Sequence, residues 1–89
     1  MKKAVSIRIY GKVQNVGFRY YTHRTAMQFG IKGFVKNESS GAVYIEAEGD
    51  PVNIDTFINW CRQGPNWAHV ERLEVQEIPV EGFVDFGIR

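Results

Sequence analysis

An α+β fold in the order β-α-β-β-α-β, with two helices on one face of an antiparallel sheet, is the class this sequence predicts. Three observations carry it. Short stretches place apolar residues at every second position, the period of half-buried strands. Two longer stretches between them switch to the i, i+3, i+4 spacing of amphipathic helices. Each switch is marked by glycine, proline or asparagine. At 89 residues the chain is long enough for one modest core and is expected to be a single domain, 1–89.

The first strand is read from Val5, Ile7 and Ile9, which alternate with Ser6, Arg8 and Tyr10. From Phe18 to Phe29, the residues Phe18, Thr22, Thr25, Ala26 and Phe29 fall on one helical stripe, and Gly30 stands where a left-handed cap would end it. Ile31–Asn37 and Ala42–Glu48 read as two strands of a hairpin. In the second, Val43, Ile45 and Ala47 point one way and Tyr44, Glu46 and Glu48 the other; Glu38-Ser39-Ser40-Gly41 connects them. Asp50-Pro51 supplies an N-cap carboxylate and a proline at the first helical position. Ile54, Phe57, Ile58 and Cys61 follow as the apolar stripe, and Gly64-Pro65 stops the helix. Val70–Pro79 is extended, and Val84, Phe86 and Ile88 alternate in a last strand, as a terminal hairpin or extension. The whole is a ferredoxin-like α/β plait. That fold hosts unrelated activities, so function must be argued from a site.

Composition excludes several function classes. The hydrophobic content, 44%, is that of an ordinary soluble globule. Arg8 interrupts any apolar run near the N-terminus, leaving neither a signal-peptide core nor a membrane span, so the expected location is cytoplasmic. Cys61 is the single cysteine and has no disulfide partner; with two isolated histidines it cannot build a zinc site, and no metal or other cofactor is expected. Cys61 sits on the apolar stripe of the second helix and reads as a core residue. His23 and His69 read as packing or surface residues, and Trp60 and Trp67 as packing residues flanking the second helix.

Charge is distributed unevenly despite a net value of +1. Residues 1–37 hold eight basic side chains and no acidic one, whereas the rest holds three basic against ten acidic. A pI near 7.9 is low for a nucleic-acid surface. The basic half centres on Gly11-Lys-Val-Gln-Asn-Val-Gly-Phe-Arg19, which ends the first strand and opens the first helix. A strand-to-helix turn of this kind aims backbone N–H groups at one point, where the positive end of the helix dipole also converges. There an arginine in the first turn is unfavourable by roughly 0.3–1 kcal/mol, and a bound phosphate reverses the sign. The loop residues Gln14, Asn15, Val16, Gly17, Phe18 and Arg19 are therefore the candidate phosphate site.

Catalytic machinery for a difficult leaving group is missing. The chain has no Asp-x-Asp pair and no Gly-x4-Gly-Lys-Ser/Thr loop, and Cys61 lacks an arginine cradle. Amides, Arg19 and Asn37 remain. They suffice when the leaving group is a carboxylate, which departs without a general acid, so that catalysis reduces to holding the phosphoryl group and placing a water in line. An amide such as Asn37 accepts from that water and donates to phosphate.

These residues, with Gly30-Ile-Lys-Gly33-Phe-Val-Lys-Asn37, Gly41-Ala-Val and Phe86-Gly-Ile-Arg89, resemble the acylphosphatase family over essentially the whole chain. The resemblance implies an α/β plait and a cytosolic monomer that hydrolyses the carboxyl-phosphate bond of small acyl phosphates without metal. It implies Arg19 as the phosphate-binding arginine and Asn37 as the residue that orients water, with inorganic phosphate or sulfate fitting the same site. Two positions depart from the family pattern. Asn15 stands where the family usually has glycine, and asparagine is the residue that best tolerates the left-handed conformation after glycine. Ser40-Gly41 replaces Asp-Gly, keeping the glycine.

Two other readings belong to different classes. One is a non-catalytic acylphosphatase-like anion-binding domain. The other is an RNA-binding plait, suggested by Lys32-Gly33-Phe34-Val35, a faint echo of an RNP1 strand; it is disfavoured because Glu46 and Glu48 flank Tyr44 and would repel RNA. No nucleic-acid or membrane partner is expected. Arg8, Tyr20, Tyr21 and Arg24 lie close to the loop in sequence; they are candidates for the acyl side of the pocket, although surface solvation accounts for them more simply.

Overall fold

The computed structural model describes residues 1–89 and has the predicted element order: β1 (Lys3–Lys12), α1 (Phe18–Gln28), β2 (Lys32–Asn37), β3 (Val43–Gly49), α2 (Pro51–Gln63), β4 (His69–Ile78) and a short β5 (Phe86–Ile88). The sheet order is β4-β1-β3-β2-β5. Pairings among β1 to β4 are antiparallel, with Ile7 facing Ile45 on one side and Val75 on the other. The register of β1 against β4 shifts between Tyr10 and Gly11. Gly11 has φ 128°, and a Cβ there would lie 2.2 Å from the His69 carbonyl, so only glycine lets the two strands approach where β1 turns toward the α1 loop.

The helices cover one face. Val5, Ile7, Ile9, Val35, Val43, Ile45 and Ala47 of the sheet pack in one cluster with Phe18 and Ala26 of α1 and Ile54, Phe57 and Cys61 of α2. Two threonines share the buried stripe of α1 because each hydroxyl donates back along the helix, Thr22 to Phe18 O at 2.7 Å and Thr25 to Tyr21 O at 2.8 Å. Asp50 caps α2 as expected, accepting from Val52 N–H at 3.0 Å. Burial of Cys61 pushes its thiol well above the ordinary range, which leaves it a core residue. Trp60 also packs, edge-on to Phe18 with centroids 5.6 Å apart. Trp67 does not: it is 79% exposed. No helix is long and apolar enough to cross a membrane.

The C-terminal third departs from the expected alternation. β5 forms no hairpin with β4. It pairs parallel to β2, with Gly33 beside Phe86 and Val35 beside Ile88, on the opposite edge of the sheet. Val84 lies outside it and is 86% exposed. The reason is Glu48. Alternation assigns this residue to the helix-free face, yet it is only 2% exposed, because the crossing segment folds over it. Its carboxylate accepts from the backbone N–H of Glu81, from Gly82 at 3.1 Å and from Phe83 at 3.1 Å. Phe83 then meets Phe34 edge-on at 5.9 Å. A buried carboxylate is tolerable when backbone donors satisfy it, and this one sets the path that carries the chain to β5.

Candidate active site

Residues 13–17 connect β1 to α1. Val13 is buried in the core and anchors the loop from below. Asn15 adopts φ 63°, the one non-glycine residue with positive φ, so the asparagine does curl the loop in the manner its side chain permits. Gly17 follows at φ 78° as the N-cap of α1, with no side chain capping the helix and no acidic residue in its first turn. The first N–H groups of α1 are thus left without side-chain acceptors at the positive end of the helix dipole. Arg19 rises from that first turn, exposed, and its Nη1 donates to the Arg89 main-chain oxygen at 3.1 Å.

Asn37 arrives from the other side. It is the last residue of β2, held opposite Val43 by the ladder. Asn15, Gly17, Arg19 and Asn37 line one half-open pocket of about 270 Å3, closed by Val13, Phe18, Tyr20 and Ile88. No Asp, Glu, His or Cys contributes to its walls, and nowhere in the chain do three such side chains cluster.

Gln14 and Val16 shape the loop without facing the pocket. The Gln14 amide donates to Glu38 O at 2.8 Å and Ala42 O at 2.9 Å, tying the loop to the β2–β3 turn immediately after Asn37. Val16 packs on the core. Glu38 is fastened three further ways. Its N–H donates to Ala42 O at 2.9 Å, its carbonyl also accepts from Gly41 N–H at 3.1 Å, and Arg8 grips its carboxylate with Nε at 2.7 Å and Nη2 at 2.9 Å. Hydrogen bonding and charge from Arg8 hold the Glu38 carboxyl below the usual carboxylate range, and the same contact raises the Arg8 guanidinium. Arg8 also covers the Tyr44 ring at 4.8 Å. Burial and a hydrogen bond to Glu46 push the Tyr44 hydroxyl up to about 12. Arg8 is therefore committed to the hairpin and does not border the pocket.

Reading residues alone missed Glu38 and Ile88. Glu38 looks like an ordinary turn residue, and Ile88 like one more strand position; neither carries a local signal of the site. Arg89 belongs to a segment on which the family resemblance rested. It is placed by Arg89 N–H donating to Val35 O at 2.8 Å, with its guanidinium 4.0 Å over Phe34. His23 lies near Phe86, with centroids 6.2 Å apart, and His69 is exposed on β4, both away from the pocket walls.

Fold and site together define a small plait protein with a carboxylate-free, cationic pocket at a helix N-terminus, suited to handling an anion. The acylphosphatase family model matches residues 5–88. An acylphosphatase from Nocardioides sp. is 43% identical over 89 residues, covering 100% of this chain and 90% of that protein. The structure of an acylphosphatase from Coxiella burnetii superposes with a TM-score of 0.96 at 34% identity, over 99% of this chain and 93% of that one. The chain also matches 12% of full-length HypF in its phosphate- and nucleotide-bound form, with a TM-score of 0.94, 37% identity and 100% coverage of this chain. The chain belongs to the acylphosphatase family of hydrolases, which act on small acyl phosphates.

Proposed function

We propose that this pocket hydrolyses the carboxyl-phosphate bond of an acyl phosphate by in-line attack of water, without a metal. The observation that carries the reading is the meeting of Arg19, Asn37 and the left-handed Asn15–Gly17 turn in one pocket, although Arg19 and Asn37 stand on different elements. The phosphoryl oxygens are held by loop and helix N–H groups, with Arg19 supplying a planar guanidinium for two of them. The Arg89 main-chain oxygen and Arg19 stay in contact, which restrains that guanidinium before substrate arrives.

Asn37 orients the water with its side-chain oxygen and steadies a phosphoryl oxygen with its NH2. The water oxygen bonds to phosphorus as the bond from phosphorus to the acyl oxygen breaks. The acyl group leaves as a carboxylate, and one proton of the attacking water passes to a phosphoryl oxygen, so that the product is dihydrogen phosphate. The pocket needs no acid because a carboxylate is a stable leaving group; it offers none for an alkoxide.

The test is hydrolysis of a synthetic aryl acyl phosphate beside an aryl phosphate monoester, each with and without chelator. Turnover of the first alone, unchanged by chelator, is expected. Equal rates on both, or a rate lost to chelator and restored by a divalent cation, would overturn the mechanism. Saturable phosphate binding with no turnover of any acyl phosphate would identify a non-catalytic anion-binding domain instead.

A further inference from the structure

Glu48 is the one buried charged side chain, and the proposed mechanism leaves it unused. No cation pairs with its carboxylate; Lys32, its cross-strand neighbour on β2, makes no ion pair. Three successive N–H groups meet it instead, those of Glu81, Gly82 and Phe83. Gly82 turns the backbone inward at φ 85°, so residues 81–83 form an anion-binding nest whose anion is a side chain of the same chain.

The nest stands where the next element needs an anchor. β5 has three residues and lies at the edge of the sheet with β2 as its one neighbour, and short edge elements open locally at little cost. Between the nest and β5, the Asp85 carbonyl accepts from Gly33 N–H at 2.9 Å. Phe34 joins both ends of the segment, with the Phe83 ring edge-on at 5.9 Å and the Arg89 guanidinium 4.0 Å over its ring.

The far end of β5 reaches the pocket. Ile88 lines it, and the Arg89 main-chain oxygen accepts from Arg19 Nη1 at 3.1 Å. Arg19 is exposed, has no ion pair and makes no other side-chain hydrogen bond, so that oxygen is the one polar restraint on its guanidinium.

We propose that Glu48 is a positioning residue for anion binding: by holding residues 81–83 it fixes β5, and through the Arg89 oxygen it fixes Arg19. A guanidinium already restrained loses less freedom when an anion docks, so the anchor acts on affinity. This role rests on Arg19 being the phosphate-binding residue.

The test is a double-mutant cycle, read by calorimetry as the dissociation constant of inorganic phosphate, on the parent, Glu48→Gln, Arg19→Ala and the two combined. Glu48→Gln turns an amide NH2 against the nest and should weaken phosphate binding about two- to tenfold in the parent, the cost of one freed long side chain, and not at all in Arg19→Ala. Ile54→Val, which loosens the core under α2, should leave phosphate affinity unchanged. Phe83→Ala loosens the same segment without touching the carboxylate and should repeat the Glu48→Gln pattern; if Glu48→Gln does not fold, Phe83→Ala decides. On an aryl acyl phosphate the larger part of the loss should fall on KM. Equal weakening in both backgrounds, no weakening in either, or the same loss in Ile54→Val would overturn the positioning role and leave the phosphate reading intact. A phosphate affinity unaffected by Arg19→Ala would overturn that reading and this role with it.

Discussion

In the proposed mechanism Arg19 and Asn37 make separable demands on the chemistry, so their variants should fail differently. Arg19→Ala removes the guanidinium from the phosphoryl oxygens and should lower turnover by at least ~10²-fold, the usual cost of one transition-state donor, while weakening phosphate binding. Asn37→Ala should lose a similar factor in turnover and keep most of its phosphate affinity. Arg19→Lys keeps the charge and loses the fork, so it should stay badly impaired. Steady-state kinetics with phosphate as competitive inhibitor, on variants with native circular dichroism, checks all three; near-parental turnover in either alanine variant would remove the role given to that residue. Asn15 is a further case. It holds φ 63° where glycine pays no steric cost, so Asn15→Gly should preserve activity, whereas a β-branched residue such as valine should not fit the loop.

Two elements beside the candidate pocket are held in place by side chains that do not line it. The β2–β3 turn is gripped by Arg8 through Glu38, and because the Glu38 carboxyl is held below its ordinary value, the sign of its pH dependence follows. Its stabilisation is present at neutral pH, begins to decline below the ordinary glutamate value of 4.5, and is lost as pH falls through the lower folded-state value. Glu38→Gln should therefore lower the melting temperature at pH 7 by about 1–8 °C, a half-exposed ion pair being worth roughly 0.2–1 kcal/mol, and the difference from the parent should vanish in acid. A difference that grew in acid would reverse the assignment. The β5 approach is held by Glu48, whose two oxygens receive three backbone donors. Glu48→Gln replaces one acceptor by a donor that faces those N–H groups, so it should cost about 1–3 kcal/mol in denaturant unfolding. Hydrogen exchange should rise first over residues 81–88. Elsewhere in the element plan, the long stripes of α1 and α2 and the alternation of β1 and β3 were legible in the sequence because burial of one face imposes a period. The crossing from β4 to β5 was not, since Pro79 to Asp85 carries no period and is ordered by a residue more than thirty positions earlier.

For the molecule as a whole, a ligand that binds only the folded pocket would stabilise the fold. Inorganic phosphate should bind the assembled pocket and not the unfolded chain, so it should stabilise by about 1.4 kcal/mol at roughly ten times Kd. For a domain of this length that is on the order of 4–8 °C in melting temperature. Sulfate should imitate it and chloride at matched ionic strength should not, which separates binding from screening. The shift should largely disappear in Arg19→Ala and persist in Asn37→Ala. An unchanged melting temperature at saturating phosphate would mean that Gln14 to Arg19 is only a structural turn.

What lies within one contiguous loop was legible in the sequence itself. Gly11 to Arg19 contains the turn, the helix start and the cation, so the candidate anion site could be read without knowing how the chain folds. The helices and the antiparallel strands were equally open, since periodicity is a local record of which face is buried. Only the tertiary structure decided what covers each face and what each charge meets. Glu48 and Glu46 share an alternating pattern, yet one is buried under the crossing segment and the other is not. Arg8 and Arg24 are alike in sequence, yet one is paired with Glu38 and the other faces an open cleft. Trp60 and Trp67 flank the same helix end, yet one packs and the other is exposed. In each pair the deciding partner is distant along the chain, and closure of the fold brings it there, beyond the reach of any local pattern.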